Sequence, residues 1–252
     1  MNERVTAALN GGILTATLNR PEKRNAIDHE MITGLLALLE RADLDGGVRV
    51  VALRGAGKDF CAGMDLNELL ASADRLVEEN RRASLEFGEI FLRIRRLPKP
   101  VVAVVQGRAL AGGCGLATGC DLVLAAESAQ FGYPEVQRGF VPAIVMTLLR
   151  RTAGEKVAFD LASTGRILTA SEAVALGLVS RVYKDADFDA RVAELLGGLA
   201  ASSATALALT KQQFYQLDGM GFEEGIRLGA DVNAVSRTTP DFRSAIAAFL
   251  NR

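Results

Sequence analysis

Hydrophobic residues follow two different patterns in the first half of the chain. Between residues 12 and 19 they alternate with polar ones, which predicts a strand with one buried face. The segments 48–53, 101–105 and 121–125 are almost continuously apolar. Runs of this kind are typical of strands in a parallel sheet that is covered on both faces. We therefore expect several buried parallel strands here.

Helical patterns separate these strands. Asp28 is placed to cap a helix whose inner face carries Met31, Leu35, Leu38 and Leu39. The charged segment 74–96 predicts a long helix, which Pro98 ends before the next strand. The inward residues predicted for this long helix are Leu85, Ile90, Phe91 and Ile94.

The chain becomes helical towards its end. Two helices are predicted over 141–149 and 155–163, and a capping box from Thr169 to Glu172 opens a third, followed by a strand ending at Val182. After about residue 187 the strand patterns stop. The helices predicted beyond that point cover 188–201, 204–217, 222–238 and a last segment capped by Thr239.

This order of elements predicts an α/β core over residues 1–187 and a helical module over residues 188–252. Several of the last helices carry apolar residues on more than one face. Such a module packs either against another subunit or back onto its own core, and the pattern alone leaves both arrangements open.

Composition narrows the class of protein. The chain has 252 residues, of which 49% are hydrophobic and 23% are charged, and its net charge is −1. A chain of this size can bury a large core, and its near-neutral charge creates no strong field for nucleic acid or a membrane surface. No apolar run approaches the roughly 20 residues that a membrane-spanning helix needs.

The cysteines and the N-terminal residues indicate the cellular compartment. Cys61, Cys114 and Cys120 form an odd set without the spacing of metal ligands, which predicts reduced thiols and no metal site. The first residues open no long apolar region and so do not indicate a signal peptide. We expect a cytoplasmic protein.

The glycine-rich stretch from residue 106 to 135 carries the candidate chemistry. An extended segment leads into Gly112, Gly113 and Gly115, and a helix-compatible segment, 116–120, follows. A strand, a glycine turn and a helix start together aim free backbone N–H groups at a ligand, such as a thioester oxygen that gains negative charge. Downstream, Glu135 follows Pro134 and could act as a general base. Backbone donors and one base suffice for enolate chemistry.

The sequence gives little support for a catalytic triad or a catalytic cysteine. His29 is the only histidine, and no G-x-S-x-G elbow occurs, so a Ser-His-Asp triad is not indicated. Cys114 lies beside the glycine turn, but a small buried cysteine is the usual reason for such a residue.

Four sequence blocks resemble the crotonase superfamily, that is, the enoyl-CoA hydratases and isomerases. They cover residues 19–27, 60–66, 98–121 and 164–179, in the family's order and at its spacing. The resemblance implies an α/β fold with a ββα spiral core and a C-terminal helical trimerisation module. It also implies a homo-trimer or a dimer of trimers, an acyl-CoA substrate, coenzyme A only as part of that substrate, and no metal.

The resemblance further assigns roles to residues. The backbone N–H groups of Met64 and Gly112 would hold the thioester oxygen, and Glu135 would move the proton. Tyr133 would help to form an apolar wall beside Glu135. Phe249 and Arg252 match C-terminal positions that reach coenzyme A from a neighbouring module. The remaining positions implied to contact the substrate are Lys23, Arg24, Ala26, Ala62, Asp65, Leu66 and Gly115.

The sequence departs from the family pattern at two positions. Hydratases of the family use two glutamates, and the first of them corresponds to Gly115 here. We expect the glycine to open space beside the thioester for a branched or bulky acyl group. Ala111 stands where the family usually has glycine, and its methyl group is tolerable if the backbone angle there is ordinary.

An enzyme and a binding protein therefore both remain open. A single glutamate could serve a Δ3,Δ2-enoyl-CoA isomerase or a hydratase that holds its water differently. The chain could also be a non-catalytic or weakly catalytic protein that binds CoA thioesters. RNA binding has a precedent in the family, but no basic stripe with aromatic residues supports it here.

Overall fold

A computed structural model describes residues 3–251 and contains two β-sheets wrapped by helices. The strands, in chain order, are β1 (Val5–Asn10), β2 (Ile13–Leu18), β3 (Val50–Gly55), β4 (Val101–Val105), β5 (Arg108–Leu110), β6 (Leu122–Ala126), β7 (Gln130–Gly132), β8 (Ile167–Thr169) and β9 (Arg181–Tyr183).

The larger sheet has six strands in the order β1-β2-β3-β4-β6-β9. Only the β1–β2 pair, a hairpin, is antiparallel, and all the other neighbours are parallel. The four strands with strong apolar patterns were predicted from the sequence. The edge strand β1 was not, because its exposed residues hide the pattern.

The smaller sheet has the order β5-β7-β8. Strand β4 of the large sheet continues into β5 of the small sheet, and β6 continues into β7 in the same way. These two turns of the chain therefore each contribute one strand to each sheet before a helix follows. This repeated path is the ββα spiral that the family resemblance implies.

The helices cover the sheets and form the end of the chain. They are α1 (His29–Leu44), α2 (Leu66–Ala71), α3 (Val77–Arg96), α4 (Gly112–Thr118), α5 (Ala143–Thr164), α6 (Ala170–Ala175), α7 (Phe188–Ala201), α8 (Ala204–Gln216), α9 (Phe222–Ser236) and α10 (Pro240–Leu250). Three short 3-10 helices cover Pro21–Lys23, Pro134–Arg138 and Asp185–Asp187.

Several predicted helix details are confirmed. The carboxylate of Asp28 accepts a hydrogen bond from the Met31 N–H at the start of α1. Thr169 and Glu172 form the capping box of α6. Gly154 has φ 76° and ψ 171° inside α5, so this helix is broken where the sequence predicts two separate helices.

One inward residue of α3 was predicted wrongly. Leu85 is 54% exposed, whereas Phe87, two positions later, is buried together with Ile90, Phe91 and Ile94. Two residues correspond to about half a turn of an α-helix, so Leu85 lies on the outer side of α3.

Helix α7 shares a hydrophobic core with the large sheet. Its Phe188, Val192 and Leu196 are buried against apolar residues of β3, β4 and β6. Helices α9 and α10 contain no buried residue, and the only one in α8 is Lys211. The division at residue 187 stays a prediction, but α7 packs as part of the sheet, and the weakly buried part begins at α8.

Asp121, just before β6, fastens α8 to the sheet. Its carboxylate accepts hydrogen bonds from the Val101 N–H at 2.7 Å, the Lys211 ammonium at 2.6 Å and the Tyr215 hydroxyl at 2.7 Å. The Lys211 ammonium also donates to the Lys99 carbonyl at 2.8 Å. Asp121 therefore has the structural role expected of a half-buried carboxylate whose two oxygens are both paired.

Within residues 3–251 no single helix combines the length and apolar character of a membrane span. One pair of segments, Asp185–Ala201 and Ala204–Gln216, has suitable length and composition when taken together, but the two are bent by 99°.

Removing the Lys211 ammonium should weaken this attachment. We expect Lys211→Ala to lower the free energy of unfolding by about 3 kcal/mol, because it leaves the half-buried Asp121 charge without its ion-pair partner. The exposed Lys184 offers a matched control, and Lys184→Ala should change the value by less than about 0.5 kcal/mol. Chemical denaturation of both variants, at the same protein concentration, measures their free energies of unfolding. Equal effects of the two substitutions would contradict the role given to Lys211.

Candidate active site

The segment 61–64 lies between a loop from the start of the chain and the small sheet. The Ile27 N–H donates to the Gly63 carbonyl, and the Asp65 N–H donates to the Ile27 carbonyl, both at 2.8 Å. On the other side, Cys61 pairs with Ala109 of β5. These contacts hold the backbone of Met64 two residues before α2 begins.

The turn from β5 into α4 comes very close to this segment. A Cβ atom placed on Gly63 would lie 2.8 Å from the Ala111 Cβ and 3.4 Å from the Gly112 nitrogen. A Cβ on Gly113 would lie 2.4 Å from the Cys61 carbonyl oxygen. Side chains at Gly63 and Gly113 would push these two backbone segments apart, so glycine is required at both positions.

Helix α4 begins earlier than the sequence predicts. It starts at Gly112 and ends at Thr118, whereas the helical pattern suggests residues 116–120. Glycine is a poor helix former, so three glycines near the start conceal the helix. The helix nevertheless forms there because its first turn packs against Cys61 and Met64.

Ala111 has φ 52° and ψ −128°, which is not the ordinary backbone angle that the sequence argument required. A residue with a Cβ atom is strained in this region by about 1–3 kcal/mol. The Ala111 N–H donates to the Gly132 carbonyl at 2.8 Å and helps to hold the turn. The methyl group is accommodated, but in a strained conformation.

Two backbone donors at this contact are unused. Across residues 3–251, neither the Met64 N–H nor the Gly112 N–H donates to a protein acceptor. Gly112 is the first residue of α4, so its N–H is one of those that the helix itself cannot satisfy. Gly112 also faces Met64 directly, since a Cβ on it would lie 3.6 Å from the Met64 sulfur.

Glu135 is a buried carboxylate in the 3-10 helix Pro134–Arg138, and it is only 6% exposed. Burial raises its pKa to about 7, against smaller lowering effects from its own backbone N–H and from Arg138. Within the described chain its Oε2 atom is buried without a hydrogen-bond partner. A carboxylate in this state is poised to exchange a proton near neutral pH.

Gly115 does not open the space that the sequence argument expected. A Cβ atom on Gly115 would lie 2.0 Å from Cγ1 and 2.6 Å from Cβ of Val145, a buried residue near the start of α5. The volume that a side chain at residue 115 would enter is therefore filled by an isopropyl group. This part of the prediction is wrong, because a contact between distant segments replaces the missing side chain.

The two loops predicted to carry the nucleotide end of the substrate lie side by side. The Ala62 N–H donates to the Arg24 carbonyl at 3.0 Å, which joins the loop of Lys23, Arg24 and Ala26 to the segment of Met64. The side chains of Lys23 and Arg24 are exposed, as is that of Leu66. The positively charged side chains of Lys23 and Arg24 are therefore accessible to an anionic ligand at one edge of the site.

Asp65 is occupied by structural bonds. Its carboxylate accepts from the Arg20 guanidinium and from the Asn67 N–H, each at 2.9 Å. Burial by itself would raise the pKa of Asp65, but these two hydrogen bonds hold it below its usual value. Arg20 also pairs with Asp28, so the three buried charges tie the loop to the start of α2.

Two other predicted residues, Tyr133 and Phe249, lie in very different environments. Tyr133 is fully buried, and its hydroxyl lies 3.0 Å from the Thr118 hydroxyl, so it packs behind α4. Phe249 is 71% exposed on α10, a helix that packs against α8. Arg252 lies outside the described residues.

Two residues at the site were missed by the sequence analysis. Val145 fills the space beside Gly115, and the Phe87 ring would lie 3.5 Å from a Cβ on Gly112. The helical period of α3 could have identified Phe87 as buried, since it lies on the same face as Ile90 and Phe91. No local pattern marks Val145. Among the described residues, no group of three His, Cys, Asp or Glu side chains is arranged to hold a metal ion.

Comparison with known proteins decides the family. The family model described as enoyl-CoA hydratase/isomerase matches residues 8–252. The chain belongs to this family. A crystal structure of an enoyl-CoA hydratase from Mycobacterium smegmatis superposes with a TM-score of 0.95 and 31% identity, over 99% of this chain and 97% of that one. The crotonase fold implied by the sequence blocks is thus confirmed.

Two curated relatives show the range of reactions within the family. A Thermus thermophilus protein named "Putative enoyl-CoA hydratase" is 45% identical, with 96% of each chain covered. The 1,2-epoxyphenylacetyl-CoA isomerase of Escherichia coli is 33% identical, with 99% of this chain and 96% of that protein covered. One of these two full-length relatives is therefore named as a hydratase and the other as an isomerase.

The contact between Gly115 and Val145 predicts a sharp effect of a single methyl group. We expect Gly115→Ala to lower the free energy of unfolding by about 2 kcal/mol, since the new Cβ overlaps the Val145 side chain. Gly198→Ala, in the middle of α7 with open space around it, should instead stabilise the protein by about 0.5 kcal/mol. Denaturant titration compares the two variants. A Gly115→Ala protein as stable as wild type would show that Val145 does not fill this space.

Proposed function

We propose that the chain is an acyl-CoA enzyme of the enoyl-CoA hydratase/isomerase type that stabilises a thioester enolate and moves protons with Glu135. The observation that carries this proposal is the buried Glu135 carboxyl group, with its pKa near 7 and its unpartnered oxygen. A carboxylate left in this state costs stability, which is expected of a catalytic base and not of a structural residue.

The unused N–H groups of Met64 and Gly112 are suited to stabilising the negative charge of the enolate. Proton removal beside a thioester places negative charge on the carbonyl oxygen, and two N–H donors directed at that oxygen lower the barrier. Loss of one such donor in other enzymes costs about 3 kcal/mol of transition-state stabilisation. The positive end of the α4 dipole at Gly112 adds to the effect.

The substrate would enter along the two joined loops. The exposed Lys23 and Arg24 are placed to meet the phosphates of coenzyme A, and the backbone of Ala62 and Ala26 is placed to run beside the pantetheine chain. The acyl group then lies between Glu135, Phe87 and the start of α5. The sequence predictions of a cytoplasmic location and of chemistry without a metal stay predictions.

We also propose that the active unit is a homo-trimer or a dimer of trimers. Helices α8, α9 and α10 expose large apolar side chains that a subunit contact would bury, namely Phe214, Phe222, Ile226, Phe249 and Leu250. Phe249 would then reach coenzyme A bound to the neighbouring subunit.

The catalytic role of Glu135 predicts both a loss of activity and a pH dependence. We expect Glu135→Gln to reduce kcat for an enoyl-CoA substrate about 1,000-fold, because amide nitrogen cannot take up the proton. The raised pKa means that the wild-type carboxyl is protonated below about pH 7. Its kcat/KM should therefore fall about tenfold per pH unit as the pH drops below that value.

The same measurements test the alternative of a binding protein. Tight binding of acyl-CoA, followed calorimetrically, without turnover or solvent exchange of substrate hydrogens would replace the enzyme by a CoA-thioester-binding protein. A fully active Glu135→Gln variant would remove the base from the proposal.

The subunit arrangement gives a separate prediction. If Phe249 contacts coenzyme A across a subunit boundary, Phe249→Ala should raise KM about tenfold with little change in kcat, since the contact lies far from the reacting carbons. Phe159, an equally exposed phenylalanine on α5, is the matched control, and Phe159→Ala should leave KM unchanged. Equal KM values for all three proteins would remove Phe249 from the substrate site.

A further inference from the structure

We propose that Val145 commits this site to double-bond isomerisation by excluding the water that hydration requires. The proposal rests on the proposed function, that is, on an enolate held by two N–H groups with Glu135 as the base. It goes further by assigning the choice of reaction to a pair of residues, Gly115 and Val145, whose packing keeps one side of the pocket apolar.

The first step is the volume that Val145 occupies. Its Cγ1 lies 2.0 Å from where a Cβ at residue 115 would stand, so neither a side chain nor a water molecule fits in that place. Val145 itself is buried, and α5 packs against both α4 and the 3-10 helix of Glu135. The isopropyl group is therefore held against Gly115, on a helix that also packs against the element carrying the candidate base.

The second step is the number of polar partners that a reacting water would find. An ordered water needs two to four hydrogen-bond partners to occupy a buried position. The Thr118 hydroxyl donates to the carbonyl of Cys114 and lies within hydrogen-bond distance of the Tyr133 hydroxyl, so both are engaged. Among the described residues, the buried side-chain atoms without a hydrogen-bond partner belong to Arg20, Gln106 and Glu135, and of these only the Oε2 atom of Glu135 lies on an element that packs against α5. One acceptor and an apolar wall do not hold a water for attack.

Isomerisation needs no such water. The Glu135 carboxylate takes a proton from C2 of a 3-enoyl thioester, and the C–H electron pair spreads through a dienolate onto the thioester oxygen. Glu135 then returns that proton to C4, so the double bond moves from C3–C4 to C2–C3. The carboxylate is regenerated, and nothing is oxidised, reduced or hydrolysed.

The experiment compares two reactions in four proteins. Isomerisation of 3-hexenoyl-CoA and hydration of crotonyl-CoA are measured for wild type, Val145→Thr, Val145→Ala and the control Val157→Ala, which truncates a half-buried valine on the same helix. Val145→Thr keeps the volume but adds a hydroxyl that can hold water. Solvent deuterium entering the substrate at C2 or C4 reports proton transfer by Glu135 whichever product forms.

We expect wild-type kcat/KM for isomerisation to exceed that for hydration by about 100-fold. Val145→Thr and Val145→Ala should each raise hydration about tenfold relative to isomerisation. The Val157→Ala control should keep the wild-type ratio. A further double variant, Gly115→Glu with Val145→Gly, should raise hydration more than Gly115→Glu alone, because only the double variant makes room for the second carboxylate.

Two results would overturn the inference. One is a wild-type protein that hydrates as efficiently as it isomerises, and the other is an unchanged ratio in a folded Val145→Thr protein. In both cases deuterium exchange that depends on Glu135 would leave the proposed function standing. Absence of exchange and of both reactions would instead remove the proposed function itself.

Discussion

The close approach of two backbone segments determines the rest of this site. The segment 61–64 and the first turn of α4 meet so tightly that Gly63 and Gly113 have no room for a Cβ atom. That approach brings Gly112 against the Met64 side chain, and within residues 3–251 the backbone N–H groups of both residues have no protein acceptor. The strained angle at Ala111 belongs to the same turn. Strain of this kind persists only where surrounding packing enforces it, as the bonds to β5 and β7 do here.

Burial of Glu135 makes the stability of the fold depend on pH. A carboxyl group whose pKa is higher in the folded protein than in the unfolded chain favours folding least when it is ionised. The stability associated with this group is therefore full below about pH 4.5 and is lost as the pH rises through about 7. At neutral pH the fold keeps a partly ionised carboxylate in an apolar position. The buried charges of Arg20, Asp28 and Asp65 differ from Glu135, because each of them has an oppositely charged partner.

Sequence patterns predicted the long elements well because burial repeats along them. Strands β3, β4 and β6 are continuous apolar runs, and the caps of α1 and α6 involve residues three positions apart. The three-residue strands β5, β7 and β8 are too short to show any period, so the small sheet was missed. The start of α4 was missed because packing overrides the low helix propensity of glycine. Glu135 and Gly112 could be predicted as site residues only through the motifs around them. Val145 contacts Gly115 from 30 positions away in the sequence, so no local pattern predicts this contact.

The Gly115–Val145 contact also restricts how such a site can change. A glutamate introduced at residue 115 alone would collide with Val145, and a glycine introduced at residue 145 alone would leave a cavity in the core. Each single step is destabilising, whereas the double exchange conserves volume, so the two positions are energetically coupled. A one-carboxylate site with a valine wall and a two-carboxylate site with room for water are therefore separate, internally consistent solutions on the same backbone. On our proposal that Glu135 is the base, the residue pair at positions 115 and 145, and not the base itself, separates hydration from isomerisation.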